Sequence, residues 1–124
     1  SIDAITHRKS NFSNYGDFVE IAAPGSNGIY STLPGGNYDY LSGTSMATPV
    51  VAGAAALAIA SYRSMNKPYT VAEIEAVLVH SALNNAQLHG YIRNRAELSL
   101  PRMTQTLAKD SLLSFEGGFS ENAD

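Results

Sequence analysis

The feature that most constrains this chain is a charge-free run from Met46 to Ala60, Met-Ala-Thr-Pro-Val-Val-Ala-Gly-Ala-Ala-Ala-Leu-Ala-Ile-Ala. From Ser45 to about Tyr62 the pattern is helical, and a helix that is apolar on every side is a buried helix. Its small side chains let neighbouring elements approach closely. Pro49 would break a helix interior but does little harm near the first turn, where N–H groups lack intrahelical acceptors. That places the helix start at about Thr44 or Ser45. Gly53 costs ~1 kcal/mol against alanine in a helix interior, so the sequence predicts a tight packing contact there. The longest apolar stretch, Val50 to Ala60, is too short for a transmembrane helix.

The flanks of this helix differ. Most of the 10 glycines and 5 prolines fall within residues 1–53, which marks loops and turns between short strands. Ile2 to Ile5 and Phe18 to Ala23 are the strand candidates, with Pro24-Gly25 ending the second. Gly28 to Leu33 is a third extended segment, closed by Pro34-Gly35-Gly36. After the helix, Thr70-Val-Ala-Glu73 fits a capping box, with Tyr69 and Ile74 at the staple positions. Ile74, Val77, Leu78 and Ala82 form one apolar stripe, and Asn84-Asn85 is the expected stop. Beyond Pro101 the periodicity weakens, and residues 104–124 read as a loosely held tail.

The 124 residues suit one domain, and the absence of cysteine excludes a disulfide scaffold, a cysteine-ligated zinc site and a thiol nucleophile. A formal charge of −3 with no basic cluster larger than Arg8-Lys9 argues against a nucleic-acid partner. Ser1-Ile-Asp-Ala-Ile5 reads as the middle of a strand, so the chain is expected to be a piece of a longer protein.

The chemistry concentrates in Leu41-Ser-Gly-Thr-Ser-Met-Ala-Thr-Pro49. Ser45 sits between a glycine turn and the first turn of the buried helix. A hydroxyl is a weak nucleophile and needs help from its surroundings. The helix N-terminus supplies free N–H groups and partial positive charge, which stabilise an oxyanion beside Ser45. Gly43 lets the backbone turn and leaves room for a substrate carbonyl. Taken alone, the Gly-Thr-Ser triplet fits an ordinary N-cap equally well.

The wider order of segments bears on that choice. Phe12-Ser-Asn-Tyr-Gly16, Val19-Glu-Ile-Ala-Ala-Pro-Gly25, Ile29-Tyr-Ser-Thr32, Gly43-Thr-Ser-Met-Ala-Thr-Pro49 and Val51-Ala-Gly-Ala-Ala-Ala-Leu57 together resemble the C-terminal part of the catalytic domain of subtilisin-like serine peptidases. The resemblance is strongest from Val19 to Leu57. It implies an α/β three-layer sandwich with a mostly parallel sheet, of which only the C-terminal portion is present. Residues 1–100 would belong to the peptidase domain and 101–124 to an extension or tail. The resemblance implies that Ser45 matches the nucleophile, with Thr44 and the Ser45 N–H on the oxyanion side. It implies peptide or protein substrates and a secreted protein, with no membrane partner. Calcium is a cofactor it allows, without an assignable site.

Two departures stand out. Val50 replaces the histidine that often follows the motif proline, a packing change. The triad of this family runs Asp, His, Ser along the chain. The aspartate and histidine motifs, and the segment bearing the oxyanion-hole amide, are absent here. They would lie upstream or on a second chain, so this chain alone is expected to be inactive. His7, beside Arg8-Lys9, makes a poor base, and His80 and His89 read as surface or hydrogen-bonded histidines. Asp3, Asp17 and Asp39 read as loop or turn carboxylates. Tyr15, Tyr30, Tyr38 and Tyr40 fit either a substrate cleft or edge packing. Two other readings remain: a pseudoprotease that keeps the fold for binding, and an α/β-hydrolase in which Gly43 to Ala47 approximates a nucleophile elbow.

Overall fold

The computed structural model describes residues 1–117, with side chains described through Ser111. The last residues of the expected tail, 118–124, lie outside the described residues. The elements run β1 (Ile2–Asp3), β2 (Pro24–Ser26), β3 (Ile29–Leu33), β4 (Asn37–Leu41), α1 (Thr44–Ser64), α2 (Val71–His80), β5 (Leu83–Asn84), β6 (Ala96–Glu97) and α3 (Leu100–Gly117). Two short 3₁₀ turns, Ala86–Leu88 and Arg93–Arg95, separate β5 from β6.

Three two-stranded pairings are present among the described residues. β1 and β2 are parallel, while β3–β4 and β5–β6 are antiparallel. A parallel bridge between Ala22 and Glu97 links the first pair to the third. Ile2 N–H donates to Ala23 O on one side, and Ala22 N–H donates to Ala96 O on the other. The segment before β2 therefore lies between β1 and β6. The expected strand over Phe18–Ala23 does not form as such. Phe18 stands in an exposed turn; Val19 and Ala23 lend single carbonyls to Arg93 and Ile2, and among the described residues Ala22 alone of this segment forms a bridge. Its partner β6 is two residues long, too short to hold a longer run in register.

Helix α1 starts at Thr44, as the sequence predicts, and packs against β2, α2 and α3. Pro49 lies deeper than the orphan first turn. Its missing N–H is the one that would reach the carbonyl of Ser45 four residues back. The helix is not buried all round. Ala47, Ala54, Ala58 and Tyr62 are buried, whereas Ala52, Gly53, Ala56, Leu57 and Ala60 are exposed. A Cβ at Gly53 would meet nothing within 4 Å, so the described residues make no tight contact there. At 21 residues, α1 is also longer than the apolar run and reaches the length and apolarity of a membrane span by composition alone.

The capping box of α2 forms completely. Thr70 Oγ1 accepts from Glu73 N–H at 3.2 Å, and the Glu73 carboxylate accepts from Thr70 N–H at 2.7 Å. Ile74 and Leu78 are buried, and Tyr69 packs on the same cluster. The helix ends at His80 rather than at Asn84-Asn85: Ser81 N–H still reaches Val77 O in helical fashion, but Ala82 N–H turns to Val79 O, three residues back. Residues 104–117, expected as loose tail, belong to α3. Met103 and Leu107, one turn apart, are buried in the main core beside Ala54, Ala58 and Tyr62. A smaller core of Ile2, Ala22, Leu88 and Ile92 lies on the other side of the strands.

Candidate active site

Ser45 is the second residue of α1 and is exposed. Gly43 precedes the helix in extended conformation (φ 164°, ψ 162°). Its N–H donates to Gly25 O at 2.7 Å, and its carbonyl accepts from Met46 N–H at 3.1 Å. β2 thus fastens the entrance of α1. Gly25 is buried at that junction, and a Cβ there would stand 2.6 Å from Gly43 O and 3.0 Å from Ala47 Cβ, and against Ser1 Oγ. Only a glycine allows this approach. The sequence signal for it was the Pro24-Gly25 pair, which reads equally as a strand stop.

No side chain caps α1, and its first turn holds no acidic residue. The N–H groups of Thr44 and Ser45 have no intrahelical acceptor and carry the positive end of the helix dipole. Among the described residues nothing hydrogen-bonds the Ser45 hydroxyl. Ser45 borders a hollow of about 330 Å³ between the β3–β4 hairpin and the start of α1. Ile29, Leu33, Leu41, Met46 and Val50 supply its apolar wall. β4 alternates polar residues with Tyr38 and Tyr40 and ends on Leu41. It forms because it pairs with β3 through all five residues. Tyr30 stacks on Tyr38 with ring centroids 5.8 Å apart and meets Tyr40 at 4.8 Å with the rings tilted by 45°, so these three form one aromatic face of the hairpin. Tyr15 lies elsewhere, edge-on to Tyr91 with Lys9 above both rings.

The histidines are tied into other surroundings. His7 Nδ1 hydrogen-bonds the buried Glu97 carboxylate, which also accepts from Asn85 Nδ2 at 2.7 Å. This clamp joins the loop after β1 to β6, and a separation of 90 residues hid it from sequence reading. His80 borders a second hollow with Glu20, Glu75 and Arg93. His89 is exposed at the end of the first 3₁₀ turn.

The remaining carboxylates are local. Asp3 accepts from the N–H groups of Thr6 (2.8 Å) and Ile5 (2.9 Å), and these bonds hold its carboxyl below the ordinary range. Glu75 is pushed up, first by a shared hydrogen bond with Glu20 and then by that group's charge. Arg93 pairs with Glu20 at 3.2 Å. Asp39, by contrast, stands on the hairpin and borders the hollow beside Ser45. Among the described residues, no group of three or more His, Asp or Glu side chains is placed to hold a metal ion.

Comparison with known proteins adds to this geometry. The model of the subtilase family matches residues 1–117. Thermitase of Thermoactinomyces vulgaris is 61% identical over 56 residues, covering 45% of this chain and 20% of the relative. A halolysin-like extracellular serine protease of Natrialba magadii is 40% identical over 91 residues, covering 73% of this chain and 16% of the relative. A chain in the solved structure of the subtilase cytotoxin SubAB assembly superposes with a TM-score of 0.69 at 30% identity, covering 84% of this chain and 31% of that one. The chain therefore spans less than a third of each of these relatives.

Proposed function

This chain belongs to the subtilase family, and from that premise we propose that it forms the C-terminal part of a serine endopeptidase domain with Ser45 as nucleophile. The single observation that carries the reading is Ser45 itself: an exposed hydroxyl in the uncapped first turn of an anchored helix, inside the Gly43–Pro49 motif. The complete domain is a three-layer α/β sandwich with a mostly parallel sheet. Its upstream portion, on the same polypeptide or a separate chain, supplies the aspartate, the histidine and the oxyanion-hole asparagine. It also covers the apolar face of α1 at Ala52, Ala56, Leu57 and Ala60, where alanine side chains suit close protein packing. The protein is secreted, in keeping with the extracellular relative.

In the reaction, Ser45 Oγ attacks the carbonyl carbon of a peptide bond, and its proton passes to the histidine. The carbonyl oxygen becomes an oxyanion. The Ser45 N–H and the positive end of α1 face that charge, with Thr44 and Gly43 shaping the approach. The C–N bond then breaks, the amine leaves with the proton, and an ester remains on Ser45. Water, deprotonated by the same histidine, attacks the ester and releases the acid. If calcium is bound by the complete domain, it would serve stability, and no step here depends on it.

The test is labelling by a fluorophosphonate, which requires an assembled triad. The intact enzyme should label at Ser45, the Ser45→Ala variant should not, and residues 1–124 alone should label negligibly. An intact protein that stays unlabelled while binding peptides would establish the pseudoprotease reading instead. Loss of labelling in His89→Ala would point to an α/β-hydrolase.

A further inference from the structure

Between Glu20 and Arg63 the sequence carries one charged residue, Asp39. It lies on β4, directly opposite Ser31 of β3. Strand alternation puts Asp39 on the same face as Leu41, and the register adds Ile29, Ser31 and Leu33 to that face. The tyrosines occupy the opposite face, where Tyr30 pairs with Tyr40. Among the described residues, Asp39 is also the only charged one lining the hollow beside Ser45. Its Oδ1 accepts from Tyr40 N–H at 2.8 Å, which holds one carboxylate oxygen against the strand, while Oδ2 accepts no hydrogen bond among the described residues.

Resting on the peptidase reading of Ser45, we propose that this hollow is a side-chain subsite for the substrate residue next to the scissile bond, and that Asp39 selects lysine or arginine there. The volume of about 330 Å³ is at the low end of ligand pockets, ~300–1,000 Å³, and suits one side chain. A lysine or arginine stem covers the apolar wall of Ile29, Leu33, Leu41 and Met46 while its charged head reaches the carboxylate. A glutamate in the same place meets like charge, with no cation lining the hollow to offset it. Asp39 is exposed, so its contribution is one of selection, roughly 3- to 10-fold in kcat/KM, and not the main source of binding.

The experiment uses the intact enzyme and fluorogenic peptides that carry lysine, arginine, norleucine or glutamate on either side of the scissile bond. The lysine-to-norleucine ratio of kcat/KM should exceed one at one of the two positions. In Asp39→Asn it should fall about 3- to 10-fold, and in Asp39→Lys the preference should turn toward glutamate. Asparagine keeps the oxygen that accepts from Tyr40 N–H, so the hairpin is preserved. In the wild type, rising ionic strength should erode the same ratio. An unchanged ratio in both variants, with Ser45 still labelled and peptides still cleaved, overturns the Asp39 assignment alone. A wild-type enzyme that neither cleaves nor labels overturns the peptidase reading and this one with it.

Discussion

At its C-terminal end α1 buries Ala54, Ala58 and Tyr62 against Ile74 and Leu78 of α2 and Met103 and Leu107 of α3. Its first turn, with Thr44 and Ser45, stands exposed and uncapped beside a hairpin whose β4 is exposed along its whole length. The neighbouring α2 shows that this sequence can cap a helix completely, through Thr70 and Glu73. The open end of α1 is thus a local exception. One end of the helix supplies rigidity through apolar burial. The other leaves polar groups unsatisfied, where a ligand can use them. Anchoring at a distance lets the serine be held firmly without being covered.

The sharpest way to break this comparison is Ser45→Ala in the intact enzyme. Removing the proposed nucleophile should lower kcat on the order of 10⁶-fold. The thermal midpoint should barely move, because Ser45 is exposed and makes no side-chain hydrogen bond among the described residues. A large stability loss would mean that the open end is structural after all. Met103→Ala tests the opposite end. Its fully buried side chain should cost about 2–5 kcal/mol in denaturant unfolding. The folded fraction should keep its activity per labelled site.

Gly25→Ala probes the joint between the two ends. The new Cβ would press on the backbone oxygen of Gly43. It should cost about 1–3 kcal/mol and, by shifting the start of α1, also slow labelling of Ser45. Thr70→Ala, which removes the cap of α2, should cost ~1 kcal/mol and leave the labelling rate unchanged. The smallest effect concerns pH. Glu75 holds its proton more tightly when folded because Glu20 lies beside it. Its contribution is therefore fully present below the ordinary glutamate range and is lost as pH rises through the raised value. Glu75→Gln should flatten that loss in a series of melts at increasing pH. An unaltered profile would show that solvent screens the pair.

Much of the candidate site was legible because its signals are contiguous. The Gly43–Pro49 segment, the helix start at Thr44 and the Thr70–Glu73 box all depend on residues within one turn of each other. β4 was passed over because the polar–tyrosine alternation of Asn37 to Leu41 is short and exposed on both faces, and it becomes a strand by pairing with β3. α3 was missed because its buried contacts come from Met103 and Leu107, with polar residues between. The His7–Glu97–Asn85 clamp and the close approach at Gly25 join residues far apart in sequence.

Local residue order was enough for the chemistry: a serine at the head of an alanine-rich helix, the family that such an ordered set of motifs resembles, and the capped helix after it. These follow from steric and hydrogen-bonding rules that act over a few residues. Tertiary structure decided which face of α1 is covered, why position 25 must be glycine, and that Asp39 shares a hollow with Ser45. Those outcomes depend on which distant surfaces meet, and burial, close contact and charge proximity exist only once they have met.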